Sequence, residues 1–554
     1  MEPTRVPRSQ PGQAAAIPKT SPRDTARTSL VDAIEAYVEQ PRFHRARWGI
    51  VVDDLDRGRL LYARNAHDLF IPASNAKLYT AALALDTLGP DYRFRTSLYA
   101  TRRADARGVL HGNLILLGRG DPGLGMTSDG GISDAWADHL ASILAQRGVR
   151  HITGDVIADD TWYAGPPYGS GWELDDALGG YAPPVSALSV QDNAFRLFVG
   201  GKGACCTLRI EPYTGTGVQL VSSLQRSVDG NYDPLGLYRP QGSTRLYVFG
   251  SRPDTWQPRK FVLAVPEPAR MAGRLLVQSL ERYGIRVDGH VRTRHWPHSS
   301  FDPQQPGIVH VTDVRSPPLR ELVQHMLKKS DNLYAQLLLL AVGKQQQALG
   351  SCPDRLHPPT LTAAWGLCAY RLWLQRIGIA PGSALLEEGS GLSRKDRVTP
   401  SATVHLLEWI HRQPFADVIR SALPVAGVDG TLQYRMLDSD AAGNLEAKTG
   451  TLHLAYTLSG YVRAANGHLL AFSIMLNAYA RPREADGRWK AEAPDDDLDA
   501  IALMIAGYGR VPLDHPATGT VRQPSAHRVP LTTGTGDARP QEENGSAKTG
   551  PRPR

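Results

Sequence analysis

Ser74-Asn-Ala-Lys77 lies 256 residues ahead of Ser330-Asp331-Asn332, and Lys448-Thr449-Gly450 follows 118 residues after that. If the three patterns serve one site, a segment near the N-terminus must pack against two segments from the C-terminal half. Everything between the first and second patterns is then an insertion. Residues 30–95 and 301–512 are accordingly expected to share one discontinuous domain, with residues 96–300 looped out of it.

Pro72-Ala73-Ser74 precedes a run of apolar residues at helical spacing, Leu78, Ala81, Ala82, Leu83, Ala84 and Leu85, which ends at Gly89-Pro90. Proline just before a helix and Gly-Pro after it are ordinary punctuation. Ser74 is expected at or near a helix N-terminus, with Lys77 on the same face. A serine hydroxyl is a poor nucleophile until a base lies within hydrogen-bond reach. A lysine that is buried or set beside other cations can lose its proton near neutral pH. The unbonded N–H groups of a first helical turn also suit an oxyanion. Taken alone, Ser-x-x-Lys says little, because short matches arise often by chance.

Ser330-Asp331-Asn332 sits between two helical runs, Leu319 to Leu327 and Leu333 to Val342. It reads either as a tight turn that presents Ser and Asn into a cleft or as a plain N-cap, since these residue types lead the capping preferences. Lys448-Thr449-Gly450 precedes two strand-like runs, Ala455 to Ala464 and His468 to Leu476, joined by Asn466-Gly467, a strong hairpin signal. Gly450 leaves space where a ligand can lie along a strand edge, and Lys448 with Thr449 can hold a carboxylate. The same tripeptide recurs at Lys548-Thr549-Gly550 among Gly, Pro, Arg and Ser with no strand beside it, and is read as accidental.

The three patterns in this order form the signature of class A β-lactamases and penicillin-binding proteins. With its long first gap the chain resembles the class C low-molecular-mass penicillin-binding proteins, the D-alanyl-D-alanine carboxypeptidases and endopeptidases with a large insertion. Further stretches are similar to that family: Gly118-Arg-Gly-Asp-Pro122, Gly154 to Asp160, Tyr181-Ala-Pro-Pro-Val-Ser-Ala-Leu188, Gly389-Ser-Gly-Leu-Ser393 and Ala426-Gly-Val-Asp-Gly-Thr431. The likeness runs from about Leu30 to about Pro512. It implies an α+β fold of the penicillin-binding/β-lactamase type, helices flanking an antiparallel sheet, with a β-rich insertion of one or two subdomains. It also implies that Ser74 is acylated, that Lys77 is its general base and that Ser330 relays a proton to the leaving amine. Asn332 would orient Lys77 and the substrate amide. Lys448 and Thr449 would grip the terminal carboxylate, and the Ser74 and Thr451 N–H groups would form the oxyanion hole. Gly450 and Asp331 complete the expected substrate-binding set. Which group takes the first proton is open at this stage. The family often has Asp ahead of its Gly-Ser-Gly-Leu-Ser run, where this chain has Glu388.

The net charge of +7 raises the question of nucleic acid, but residues 1–28 carry +3 and residues 513–554 carry +2, so the body is nearly neutral. Nucleic acid is therefore not expected as a partner. The tails, 1–29 and 513–554, are rich in Pro, Gly, Ser, Thr and Arg and are expected to be disordered. They could touch an acidic surface such as a membrane only weakly. No stretch approaches roughly 18 consecutive apolar residues, so no membrane-spanning helix is expected. The resemblance implies an extracytoplasmic, periplasmic location. Residues 1–29 hold no apolar run longer than Ala14–Ile17, too short for a signal-peptide core.

Cys205 and Cys206 would face opposite sides of a strand and are not expected to bond each other, whereas Cys352 and Cys368 could close a short loop. Four cysteines allow three pairings, and the sequence does not choose. No Cys/His cluster has metal-ligand spacing, so neither metal nor cofactor is expected. Gly118-x-Gly120-x-x-Gly123 matches a dinucleotide loop after Leu114–Leu117, yet Pro122 interrupts it and it is read as a turn. In the insertion, Asp159, Asp160 and Trp162 are candidates to read the peptide stem's amine, or else form a strand-end turn with a core Trp.

The leading function is a serine D-Ala-D-Ala carboxypeptidase, with endopeptidase action on cell-wall cross-links, inhibited covalently by β-lactams. The alternatives are a β-lactamase or esterase on the same site, for which no second base is evident, and a non-catalytic wall-binding scaffold.

Overall fold

The computed structural model describes residues 22–510 apart from 202–203, 213–214, 228–232, 253–256, 351, 354–356 and 484–490. Most of both tails, and the second Lys-Thr-Gly at 548–550, lie outside the described residues. Helix α1 (Pro22–Val38) begins ahead of the Leu30 start expected for it. A proline in the first helical turn is compatible with that start. Helix α2 (Ala76–Leu88) continues a short 3₁₀ turn at Ala73–Asn75 that contains Ser74.

Five strands form an antiparallel sheet in the order Glu446–Leu452, Ala455–Arg463, Leu469–Asn477, Arg47–Asp54, Arg59–Arg64. The N-terminal hairpin joins the C-terminal one along its full length, with Ile50 opposite Ile474 and Val52 opposite Phe472. The sheet therefore unites the two ends of the described chain. The Asn466-Gly467 turn forms as expected, with Gly467 at φ +85°.

The insertion contributes α3 (Ala135–Gln146) and α4 (Pro268–Arg282). It closes later than residue 300, because Val309–Arg315 pairs with Arg95–Ala100 inside the inserted sheet. The order of that sheet is Val291–Arg294, Val156–Asp159, Leu114–Leu117, Arg95–Ala100, Val309–Arg315. Its first three strands run parallel, and α3 crosses between Leu114–Leu117 and Val156–Asp159. The insertion is thus partly α/β rather than simply β-rich. Small sheets at Ala194–Gly201, Ala204–Glu211 and Arg259–Ala264, and at Gln219–Arg226, Gly236–Tyr238 and Arg245–Arg252, complete it. Leu98, Leu116, Val156, Leu197, Val248 and Leu275 share one apolar cluster, so these layers have a common core. The Gly118–Gly123 loop opens no helix; α3 begins only at Ala135.

After the insertion come α5 (Leu319–Lys329), α6 (Asn332–Leu349), α7 (Thr362–Arg376), α8 (Pro400–His411), α9 (Ala416–Ala422) and α10 (Pro494–Ala506). One face of the main sheet, with Ile50, Val52, Leu470, Phe472 and Ile474, packs with residues of α1 and α10. The other face, with Val51, Ala471 and Met475, joins the cluster formed by α2 and α5 to α9. Alternate side chains of Leu469–Asn477 enter two different cores, which is why that strand reads as a nearly unbroken apolar run. Phe472→Ala is expected to cost about 3–5 kcal/mol, read as a lower urea midpoint at unchanged m-value.

Cys352 bonds Cys368, and Cys205 bonds Cys206, contrary to the expectation drawn from strand alternation. The bond itself requires both sulfurs on one side of the chain, so these two side chains do not alternate across the strand. No helix among the described residues is long and apolar enough to cross a membrane.

Candidate active site

Ser74 occupies the tight 3₁₀ turn immediately before α2, entered through Ala73 at φ +46°. A left-handed conformation at a β-carbon-bearing residue carries a cost and persists only where its surroundings impose it. Those surroundings are visible. Thr457 Oγ1 donates to the Pro72 carbonyl at 2.9 Å, and Asn75 Nδ2 donates to Ser459 Oγ at 2.7 Å. Strand Glu446–Leu452 passes so close that a β-carbon on Gly450 would lie 2.8 Å from Pro72 O and 3.0 Å from Ser74 N. Glycine at that position is therefore required by the approach of the strand to the serine turn.

Lys77, one turn into α2, is fully buried. Its Nζ contacts Ser74 Oγ at 2.9 Å, Asn332 Oδ1 at 2.5 Å and the Ser390 carbonyl at 2.7 Å. Burial lowers its pKa to about 8, against the opposing pull of Glu388, Asp331 and Asp396. Asn332 Nδ2 donates to the Tyr181 carbonyl at 2.8 Å, which fixes the amide with Oδ1 toward the lysine. The geometry then sorts the protons. A neutral amine keeps two N–H bonds and one lone pair. Asn332 Oδ1 and Ser390 O can only accept, so they take the two hydrogens. The lone pair falls to Ser74, the one partner of the three that can donate.

The Ser330-Asp331-Asn332 turn contains both structures that the sequence allowed. Ser330 ends α5 in the left-handed region at φ +59°. Asp331 is the N-cap of α6 and accepts the Tyr334 N–H at 3.0 Å. Asn332 opens α6. Lys448 Nζ, sealed from solvent, reaches Ser330 Oγ at 2.9 Å and so joins the second motif to the third. Thr449 Oγ1 shares a hydrogen bond of 2.7 Å with Thr431 Oγ1. Thr451 follows Gly450 on the same strand, beside the Ser74 turn. Thus Ser74, Lys77, Ser330, Asn332 and Lys448 are brought together across the insertion.

Sequence reasoning missed a buried carboxyl pair beneath the lysine. Glu388 accepts the N–H groups of Ser390 and Gly391, each at 2.6 Å, and so sets the Ser390 carbonyl that holds Lys77. Burial, and then the neighbouring Glu388 carboxylate, push Asp396 well above the usual carboxylate range. No local pattern in the sequence marks this pair, because its parts meet only in the folded loop. Tyr181 and Thr431 lay within stretches already noted for resemblance, but their contacts carried no signal.

The insertion candidates have local partners. Asp159 is buried against Thr161 and Arg294. Asp160 takes Ser186 and His295. Trp162 lies between Arg119 and Lys344, with their charged ends 5.4 and 4.7 Å from its ring. Among the described residues, none of the three hydrogen-bonds to a residue of the three motifs.

A Ser beside a buried Lys, a left-handed Ser on an inter-helix turn and a Lys-Thr-Gly strand on a helix-flanked antiparallel sheet define an active-site serine enzyme of the penicillin-recognising fold. The sequence profile of the D-Ala-D-Ala carboxypeptidase 3 (S13) family matches residues 30–495, and the chain belongs to that family. It is 33% identical over 493 residues to a D-alanyl-D-alanine carboxypeptidase of Actinomadura sp. (strain R39), covering 87% of this chain and 85% of the relative. It is 26% identical over 440 residues to D-alanyl-D-alanine carboxypeptidase DacB of Haemophilus influenzae, covering 78% and 85%. The crystal structure of penicillin binding protein 4 (dacB) from H. influenzae superposes with a TM-score of 0.70 at 24% identity, covering 84% of this chain and 97% of that one, which shows the fold.

Proposed function

We propose that the protein is a serine-type D-Ala-D-Ala carboxypeptidase acting on peptidoglycan stem peptides, with endopeptidase action on cross-links as the same acyl transfer from a larger leaving amine. The observation that carries this reading is the arrangement of Lys77, whose two other partners are pure acceptors, so that its lone pair is left for Ser74. Ser74 Oγ attacks the carbonyl carbon of the penultimate D-Ala as its proton passes to Lys77 Nζ. The peptide C–N bond breaks, the departing amine takes a proton relayed through Ser330, and water later hydrolyses the ester to restore the serine. Lys448 and Thr449 hold the terminal carboxylate. A β-lactam enters the same reaction, but its amine stays tethered after ring opening, which favours a long-lived acyl-enzyme. A cell-wall substrate places the enzyme outside the cytoplasm.

Intact mass after benzylpenicillin, run beside D-Ala release from a pentapeptide, tests the proposal. Wild type is expected to gain one drug mass and to release D-Ala, and Ser74→Ala to do neither. Equal D-Ala release by both proteins would remove Ser74 from the mechanism. Rapid drug hydrolysis with no D-Ala release would favour a β-lactamase.

A further inference from the structure

One cluster next to the catalytic turn has no part in the chemistry above. Asp192 of the insertion, His325 of α5 and Asp331 at the start of α6 bring one ligand atom each to within 4.8 Å of one another. Asp192 lies 133 residues ahead of His325, which is itself only six residues from Asp331, and no metal-ligand spacing in the sequence signals the three.

Asp192 is held firmly in place. Its neighbours are buried and bonded: Gln191 Nε2 donates to Asp134 at 3.1 Å, and Asn193 Nδ2 donates to Pro184 O at 2.8 Å and Ser189 Oγ at 3.0 Å. Asp192 Oδ1 is sealed from water with no hydrogen-bond partner among the described residues. Such an orphaned carboxylate oxygen is costly to bury. Across from it, Asp331 uses Oδ1 as a helix cap and leaves Oδ2 directed at His325 Nε2, 4.0 Å away. His325 stacks on Tyr334 with ring centroids 4.5 Å apart, which fixes the imidazole plane. Its side chain keeps about a quarter of its exposure, so an ion can enter.

The electrostatics lean the same way. Burial, followed by the Asp331 charge, pushes Asp192 up to about 8 against the opposing pull of Arg196. Burial lowers His325, leaving its ring neutral and its lone pair free to ligate. Arg196 and Lys329 are the cations that act on these groups through space. Two carboxylates and one neutral imidazole form a nitrogen-and-oxygen donor set suited to zinc or a similar divalent ion, with room for water as a further ligand.

We propose that Asp192, His325 and Asp331 form a divalent-cation site that fastens the insertion to the Ser330–Asn332 turn. The site takes one ligand, Asp331, from the second motif and the other two from outside the three motifs, and ion binding is measured apart from whether the reaction is as described.

Full-length, metal-stripped protein at pH 7.5 is titrated with zinc chloride by calorimetry, and bound zinc is counted after gel filtration. Wild type is expected to retain one equivalent more than Asp192→Asn or His325→Ala. His111→Ala, which removes an exposed histidine elsewhere in the insertion, is expected to match wild type. Cobalt(II) added to wild type gives a second reading that needs no variant: visible absorption saturating at one equivalent. Equal zinc retention by all four proteins, or cobalt spectra no different from the aqueous ion, would overturn the site. A thermal stability gain in Asp192→Asn without any zinc bound by wild type would do the same, by showing that a proton alone satisfies the pair.

Discussion

Lys77→Ala is expected to slow acylation by benzylpenicillin by two to four orders of magnitude, about the range of a positioned general base. The fold should survive, because alanine suits a helix interior, though the buried hole will lower stability. The larger diagnostic is the pH profile. Burial brings Lys77 to about 8, and only its neutral form can accept the Ser74 proton. In wild type the acylation rate constant should rise about tenfold per pH unit below that value and level off above it. The variant should lose this limb altogether. Lys77→Arg should be equally inactive, since arginine stays protonated. Stopped-flow acylation between pH 5 and 10 reads both effects. A Lys77→Ala profile that retained the wild-type limb would assign the base to another group.

Glu388→Ala is the second large effect. It strips the acceptor from the buried Ser390 and Gly391 N–H groups and frees the carbonyl that holds Lys77. Breaking a buried charged network at one partner costs on the order of 3–5 kcal/mol, so a marked fall in Tm together with slow acylation is expected. Glu388→Gln separates charge from shape. In the native pair Asp396 is held protonated by burial and by Glu388. Burial, the larger cause, still holds Asp396 raised in that variant, and loss of the Glu388 charge that supports the lysine should move the Lys77 limb to lower pH. The double variant Glu388→Gln/Asp396→Asn removes both negative groups. Burial then lowers Lys77 with only Asp331 of its three opposing carboxylates left, and the limb should move to lower pH. A double variant with an unmoved limb would show that the pair does not act on the lysine.

The sequence made the main sheet and its helices legible because their signals are local: periodicity for α2 and α5, and Asn466-Gly467 for the hairpin. It also located the five residues that meet in the site, since the order of their motifs carries information that each lacks alone. Three things escaped it. The parallel strands of the insertion are short apolar runs, and periodicity does not reveal their partners. Strand Val309–Arg315 belongs to the insertion only because it pairs with Arg95–Ala100, more than two hundred residues earlier. The Glu388–Asp396 pair and the Asp192 cluster are contacts between distant or looped segments, which no spacing rule encodes. The bond between Cys205 and Cys206 is a fourth departure, where a covalent link overrides the alternation expected of a strand.

The pairing of Arg47–Asp54 with Leu469–Asn477 has a consequence for how the molecule comes into being. Synthesis delivers the nucleophile early and the strand that positions it late. The inserted unit can close once residue 315 has emerged, well before the main sheet has its middle strand. Entropy penalises so long a closure only weakly, since the cost grows with the logarithm of loop length, but it sets an order of events. Ser74 therefore travels as an ordinary hydroxyl through most of translation. The assembled serine site arrives almost last, as the two ends of the fold are zipped together.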